Sequence, residues 1–182
     1  MINYRHAIDR LKVMDILRQH DPHVAGTPPL GIDVPGSDID ILCHAPDAGA
    51  FAQRVWLAFG DEAGFSLRQW AGDERPVIAS FDAHGWAFEL FGHASPVSMQ
   101  RGWRHFEVER RLLALGGAPF RQSVMDGRRR GAKTEPAFAD ALRLEGDPYA
   151  ALLDIHSCDD EQLARLLAGS GFVPVSFSTR RG

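Results

Sequence analysis

The stretch Val24-Ala-Gly-Thr-Pro-Pro-Leu-Gly-Ile-Asp-Val-Pro-Gly-Ser-Asp-Ile-Asp-Ile-Leu-Cys43 sets the fold. It closes on Ser37-Asp38-Ile39-Asp40-Ile41-Leu42, where two carboxylates alternate with aliphatic residues. Residues two apart in a strand point to one face. Asp38 and Asp40 therefore stand side by side, and Ile39 and Ile41 enter a core behind them. Two adjacent carboxylates repel each other and call for a partner, and oxygen-only ligands suit magnesium or manganese. A turn at Ser37-Asp38 followed by a half-buried strand with Asp40 exposed would give the same letters, so both readings stand on these residues. Upstream, Pro28, Pro29, Gly31, Pro35 and Gly36 exclude a long regular element, which predicts a rigid loop before the strand.

Outward from this stretch, composition narrows the class. A chain of 182 residues holds one domain with a proper core and is too short for two large ones. With 45% hydrophobic and 24% charged residues it has the make-up of an ordinary globular protein. No run approaches the roughly 18 apolar residues of a membrane span, and Met1-Ile-Asn-Tyr-Arg-His lacks the apolar segment of a signal peptide. Two cysteines, Cys43 and Cys158, make no disulfide framework. The expected address is the cytoplasm. A net charge of −4 argues against a nucleic-acid binder that uses its whole surface. Positive charge is nevertheless gathered at Arg121, Arg128, Arg129, Arg130 and Lys133, either as a solvated face or as a phosphate-binding one.

Periodicity supplies the remaining elements. Ala7, Ile8, Leu11, Met14 (or Val13), Ile16 and Leu17 predict an amphipathic helix over 4–19, stopped by Asp21-Pro22. His23-Val24-Ala25 is a short strand. A helix over 46–59 follows the Asp-x-Asp strand, with Phe51, Val55, Trp56 and Phe59 as its apolar stripe. Strands come next over 65–70, 76–81 and 86–91. Gly72-Asp73-Glu74 turns the first pair, and Asp82-Ala83-His84-Gly85 has the composition of a hairpin turn. From Val97 the chain is helical, with a break at Gly116-Gly117, Thr134 capping a helix that buries Phe138, Ala141 and Leu142, Pro148 opening another, and Asp159 capping the last. Phe172 to Phe177 is an apolar tail with the pattern of an edge strand. The expected class is α+β, a mixed sheet core over 1–95 with a helical region over 96–182.

Two carboxylates from one strand make a weak cation site, and a third from a neighbouring strand makes a good one. Glu89 is the candidate. Trp86, Phe88 and Leu90 share one face of its strand, and Glu89 shares the other with the small Ala87. An exposed Glu on an edge strand is the alternative. Ser37 either orients Asp38 or simply makes the turn. His105, beside Arg104 and four residues before Glu109, forms a helix-surface pair or a substrate contact. Gly-x-Ser-x-Gly, Walker, Cys-x-x-Cys and Rossmann patterns are all missing.

Ala25-Gly26-Thr27 and Asp38-Ile39-Asp40-Ile41 resemble the motif of the nucleotidyltransferase (polymerase-beta-like) superfamily. That motif is a hydrophobic residue, Gly, Ser or Gly, a loop of roughly ten residues, then Asp-hydrophobic-Asp/Glu-hydrophobic. Thr27 replaces the usual Ser or Gly, and paired prolines replace the usual start of a helix. More closely, Gly26-Thr27-Pro28, Gly31-Ile32-Asp33, Pro35-Gly36-Ser37-Asp38-Ile39-Asp40, Arg104-His105 and Lys133-Thr134-Glu135-Pro136-Ala137-Phe138 resemble the bacterial DUF4269 family. The resemblance implies a nucleotidyltransferase-like core with Asp38, Asp40 and Glu89 as metal ligands for Mg2+ or Mn2+. It also implies phosphate contacts from Gly26, Thr27 and Ser37. Arg128, Arg130 and Lys133 are further charge partners. The expected activity is transfer of a nucleotide from an NTP to an acceptor hydroxyl. The rival is a non-catalytic descendant that binds a nucleotide or a partner.

Overall fold

Ile39, Ile41 and Cys43 are wholly buried on one face of a central strand, as their alternation with Asp38 and Asp40 requires. The structure, a computed structural model, describes residues 2–71 and 75–175. It divides into two compact units, Met1–Trp103 and Arg104–Gly182.

The first unit is built on five strands: β1 (His23–Ala25), β2 (Asp38–His44), β3 (Ala63–Gln69), β4 (Val77–Ala83) and β5 (Trp86–His93). Their order is β1-β2-β5-β4-β3. Only β2 and β5 pair in parallel; β1 with β2, β4 with β5 and β3 with β4 are antiparallel, so the sheet is mixed. The β4–β5 hairpin turns on His84-Gly85, both at positive φ (52° and 81°), as a two-residue turn of this hand demands. Phe81, Phe88 and Leu90 face the same core as Ile39 and Ile41. That core is closed by α1 (Tyr4–Leu11), α2 (Val13–Ile16) and α4 (Ala48–Phe59) through Ala7, Ile8, Val13, Phe51, Val55 and Phe59. Stacked rings run through it, with Phe81 5.1 Å from Phe59 and 5.4 Å from Phe88.

Three expectations are corrected in this unit. The helix expected over 4–19 breaks at Lys12 (φ 54°), then continues as α2 and a 3-10 turn over Arg18–His20. The paired prolines, expected in place of a helix start, instead open one: α3 (Thr27–Leu30) is a single turn, so no long element forms here. Proline lacks the N–H that a first turn leaves unused, and its fixed φ suits that position. Trp56 is 59% exposed rather than part of the buried stripe, because Phe51, Val55 and Phe59 recur every four residues and Trp56 falls beside that line. The turn expected at Gly72-Asp73-Glu74 lies outside the described residues.

The second unit is helical. It takes in most of α5 (Arg101–Arg129), then α6 (Thr134–Leu142), α7 (Pro148–His156) and α8 (Asp160–Gly169). Gly117 (φ 59°, ψ −155°) breaks α5 where the Gly-Gly pair predicts. Leu112, Phe120, Val124, Phe138, Leu142, Leu152, Leu163 and Leu167 are buried, and Phe120 makes edge contacts with Phe138 (5.8 Å) and Phe172 (5.1 Å). Asp159 caps α8 in a reciprocal capping box with Gln162. Thr134, expected as a cap, is instead the first helical residue; Lys133 precedes it with no side-chain hydrogen bond to the helix. Residues 172–175 form no strand, although Val175 N–H donates to Leu115 O at 2.8 Å. The rest of the expected edge strand lies outside the described residues. Among the described residues no helix is long and apolar enough to cross a membrane.

Candidate active site

Strand register decides which carboxylates meet. In the parallel β2–β5 pair, Asp40 lies opposite Glu89 and Asp38 opposite Ala87. Cross-strand partners share a face, so Asp38, Asp40 and Glu89 stand together on the sheet face away from the phenylalanine core. Ala87 leaves open the space beside Asp38. The electrostatics agree with this closeness. Burial first, and then the charge of Asp38, raise the proton affinity of Glu89, while Arg68 partly offsets them. Arg68 Nη2 is 4.0 Å from Glu89 Oε2.

The chain upstream is folded against Asp40. Ala25 pairs with Asp40 across β1–β2, and the following Gly26 adopts φ 79°, ψ −166°, a region held almost only by glycine. A Cβ at Gly26 would collide with Asp40 Oδ2. Thr27, 7% exposed, then starts α3. Val34-Pro35-Gly36-Ser37 closes as a turn, with Ser37 N–H donating to Val34 O (2.9 Å) and Ser37 Oγ accepting from Val34 N–H (2.9 Å). Pro35 and Gly36 (φ 89°) take the second and third places of that turn. Ser37 thus makes the turn that delivers Asp38.

Among the described residues, no three His, Cys, Asp or Glu side chains are gathered as a ready cation cage. The strand register aligns the three carboxylates on one face. Arg68, 4.0 Å from Glu89, is the positive group beside them.

The other candidates belong to the second unit and have local partners. Arg128 Nη1 donates to Ala132 O (3.0 Å), and Arg129 Nη1 pairs with Asp126 Oδ1 (3.4 Å). Arg130 and Lys133 are exposed, and Arg121 is half-buried. His105 is not on a helix surface: it is 8% exposed, and its neighbour Glu109 is buried too. Its Nε2 is 2.9 Å from Tyr149 O, and a carbonyl only accepts, so that nitrogen carries a proton. Its Nδ1 lies 3.5 Å from Glu135 Oε1. Through these contacts His105 ties α5 to α6 and α7, and Arg104 is half-buried beside it. Arg68 and Ser80, which lies opposite Glu89 on β4, were not anticipated. Parity on β3 gives Arg68 away, since Phe65 and Leu67 turn to the core and leave Ser66 and Arg68 the other face.

A mixed sheet that aligns three carboxylates beside a Gly-Thr turn, with a helical unit after it, is a nucleotidyltransferase-like (polymerase-beta-like) α+β fold. The chain belongs to the family described as a domain of unknown function (DUF4269), whose family model matches residues 6–155. Its fold is similar to that of a chain of the GLD-2/RNP-8 complex, at TM-score 0.56 and 13% identity over 92% of this chain and 74% of that one. It is also similar to the Cid1 poly(U) polymerase solved with MgGTP bound, at 0.54 and 13% over 84% and 48%. A cytoplasmic RNA terminal U-transferase gives 0.53 and 14% over 84% and 44%. The chain therefore spans less than half of the last two. No curated protein sequence matches it.

Proposed function

We propose that the protein transfers a nucleotide from an NTP to an acceptor hydroxyl, using divalent metal held by Asp38, Asp40 and Glu89. The observation that carries this reading is the Asp40–Glu89 register, with Asp38 on the same face and Gly26 closed against Asp40. The donor set fits magnesium or manganese, since it is all oxygen. Burial first, and then the charge of Asp38, raise the proton affinity of Glu89, and a bound cation would offset both. When bound, such a cation neutralises phosphate oxygens and lowers the pKa of a coordinated hydroxyl.

The chain's own residues do the rest. Backbone N–H groups at Gly26-Thr27 and the Thr27 hydroxyl face phosphate oxygens. Ser37 fixes the turn before Asp38, while Arg128, Arg130 and Lys133 belong to the second unit and stand as separate candidates for phosphate contact. The acceptor oxygen bonds the α-phosphorus as the bond to the bridging oxygen breaks. Pyrophosphate departs, and the hydroxyl proton passes to water.

The test is pyrophosphate release by wild type and Asp40→Asn, with each NTP, Mg2+ or Mn2+, and acceptors drawn from a cell extract. Wild-type release that Asp40→Asn abolishes supports transfer. Nucleotide binding with no release by the wild type supports the second reading, a non-catalytic nucleotide-binding descendant.

A further inference from the structure

Trp70 is 60% exposed, a large apolar ring left in water. Its position follows from the ladder. Trp70 N–H donates to Pro76 O at 2.9 Å, so it extends β3 one residue beyond Gln69. Alternation then puts Trp70 on the face of Ser66 and Arg68, opposite Phe65 and Leu67, which pack on the core. Ser66 pairs with Ser80 and Ser80 with Glu89, while Glu89 pairs with Asp40. Trp70 therefore belongs to the carboxylate face, with Arg68 between it and Glu89.

The other exposed tryptophan behaves differently. Trp56 leans edge-on against Phe65 at 5.5 Å, on the core side of the sheet. Trp70 has no ring contact among the described residues. Two residues along a strand span about 7 Å, a length comparable with the reach from a nucleotide's phosphate to its base. Arg68 is half-exposed and 4.0 Å from Glu89, so its guanidinium can turn from that carboxylate to a phosphate. An indole face beside a guanidinium is the arrangement that binds a base by stacking and its phosphate by charge.

We infer that Arg68 and Trp70 form a subsite for one nucleotide unit at the β3 edge of the carboxylate face, Trp70 stacking on the base and Arg68 contacting the phosphate. The inference rests on the proposed function of that face. The unit comes either from the NTP or from the end of a single-stranded nucleic-acid acceptor.

The test measures equilibrium binding of Mg–NTP, of a short labelled single-stranded oligoribonucleotide and of inorganic triphosphate to wild type, Trp70→Ala, Trp70→Phe and Arg68→Gln. Trp70→Ala weakens the base-bearing ligand about tenfold, Trp70→Phe recovers most of that loss, and triphosphate binding is unmoved. A loss confined to Mg–NTP identifies the incoming nucleotide, and a loss confined to the oligonucleotide identifies the acceptor. Equal affinities of wild type and Trp70→Ala for both base-bearing ligands overturn the subsite, even where Asp40→Asn abolishes transfer and the function of the face stands. A wild type that binds no nucleotide overturns both.

Discussion

A side chain on Gly26 would have to occupy space that Asp40 Oδ2 already fills. The Gly-Thr turn and the Asp-x-Asp strand are thus one packed unit, although some ten residues separate them. Gly26→Ala meets two obstacles, the collision and a backbone conformation that costs a side-chain-bearing residue about 1–3 kcal/mol. We expect a lower Tm and little transfer activity. Adding Asp40→Ala removes the collision and leaves the backbone cost. The double variant should therefore be more stable than the sum of the two single losses, which denaturant melts of all four proteins will read.

Glu89 gives a pH dependence of definite sign. Its proton affinity is raised in the folded chain, first by burial and then by Asp38. A carboxyl with a raised folded pKa favours folding fully below its unfolded pKa, and that contribution is lost as pH rises through the folded value. Metal-free Glu89→Gln should then melt higher than wild type at neutral pH, and the gap should close as pH falls below the ordinary glutamate range. Mg2+ should raise the Tm of wild type and not that of the variant. A gap that widens in acid would contradict the assignment.

Thiol chemistry checks the core. Cys43 is wholly buried, and burial, with Asp21 adding to it, pushes its thiol up to about 12. At neutral pH it is a protonated, enclosed thiol. Cys158 is only half-buried. Iodoacetamide should modify Cys158 and spare Cys43 in the folded protein, and modify both in denaturant; mass spectrometry of digests separates the two.

Lys133 tests the basic segment. It is exposed and caps nothing with its side chain. Lys133→Ala should weaken Mg–NTP binding several-fold in calorimetry with the Tm unchanged. Unaltered affinity would leave the segment a solvated face.

Much of the first unit was legible because β2 and β5 alternate. Ile39 and Ile41, and Phe88 and Leu90, declare their buried face, and the same alternation places Asp38, Asp40 and Glu89 opposite. What alternation leaves open is pairing. Nothing local to Asp40 or Glu89 says that their strands lie side by side in parallel, since that contact joins distant segments. Proline was ambiguous for a different reason: it ends a helix from inside and begins one from the first turn, so Pro28-Pro29 fits either. Lys12 in a left-handed conformation carries no compositional mark, and the break in the first helix stayed hidden. His105 was misplaced because Glu109 is its neighbour along one helix, whereas Glu135 and Tyr149 reach it from α6 and α7.

The parallel pairing of β2 with β5 also bears on how the chain assembles. The β4–β5 hairpin closes over two residues and needs little search, whereas β2 must join β5 after the whole of α4, β3 and β4 has been laid down. Glu89 therefore joins Asp38 and Asp40 only when this non-local pairing forms. Before β2 and β5 pair, the chain offers Asp38 and Asp40 without Glu89, so a divalent ion held as proposed would gain its third ligand only on the finished sheet. It would act there, slowing escape from the native state while leaving the rate of entry unchanged.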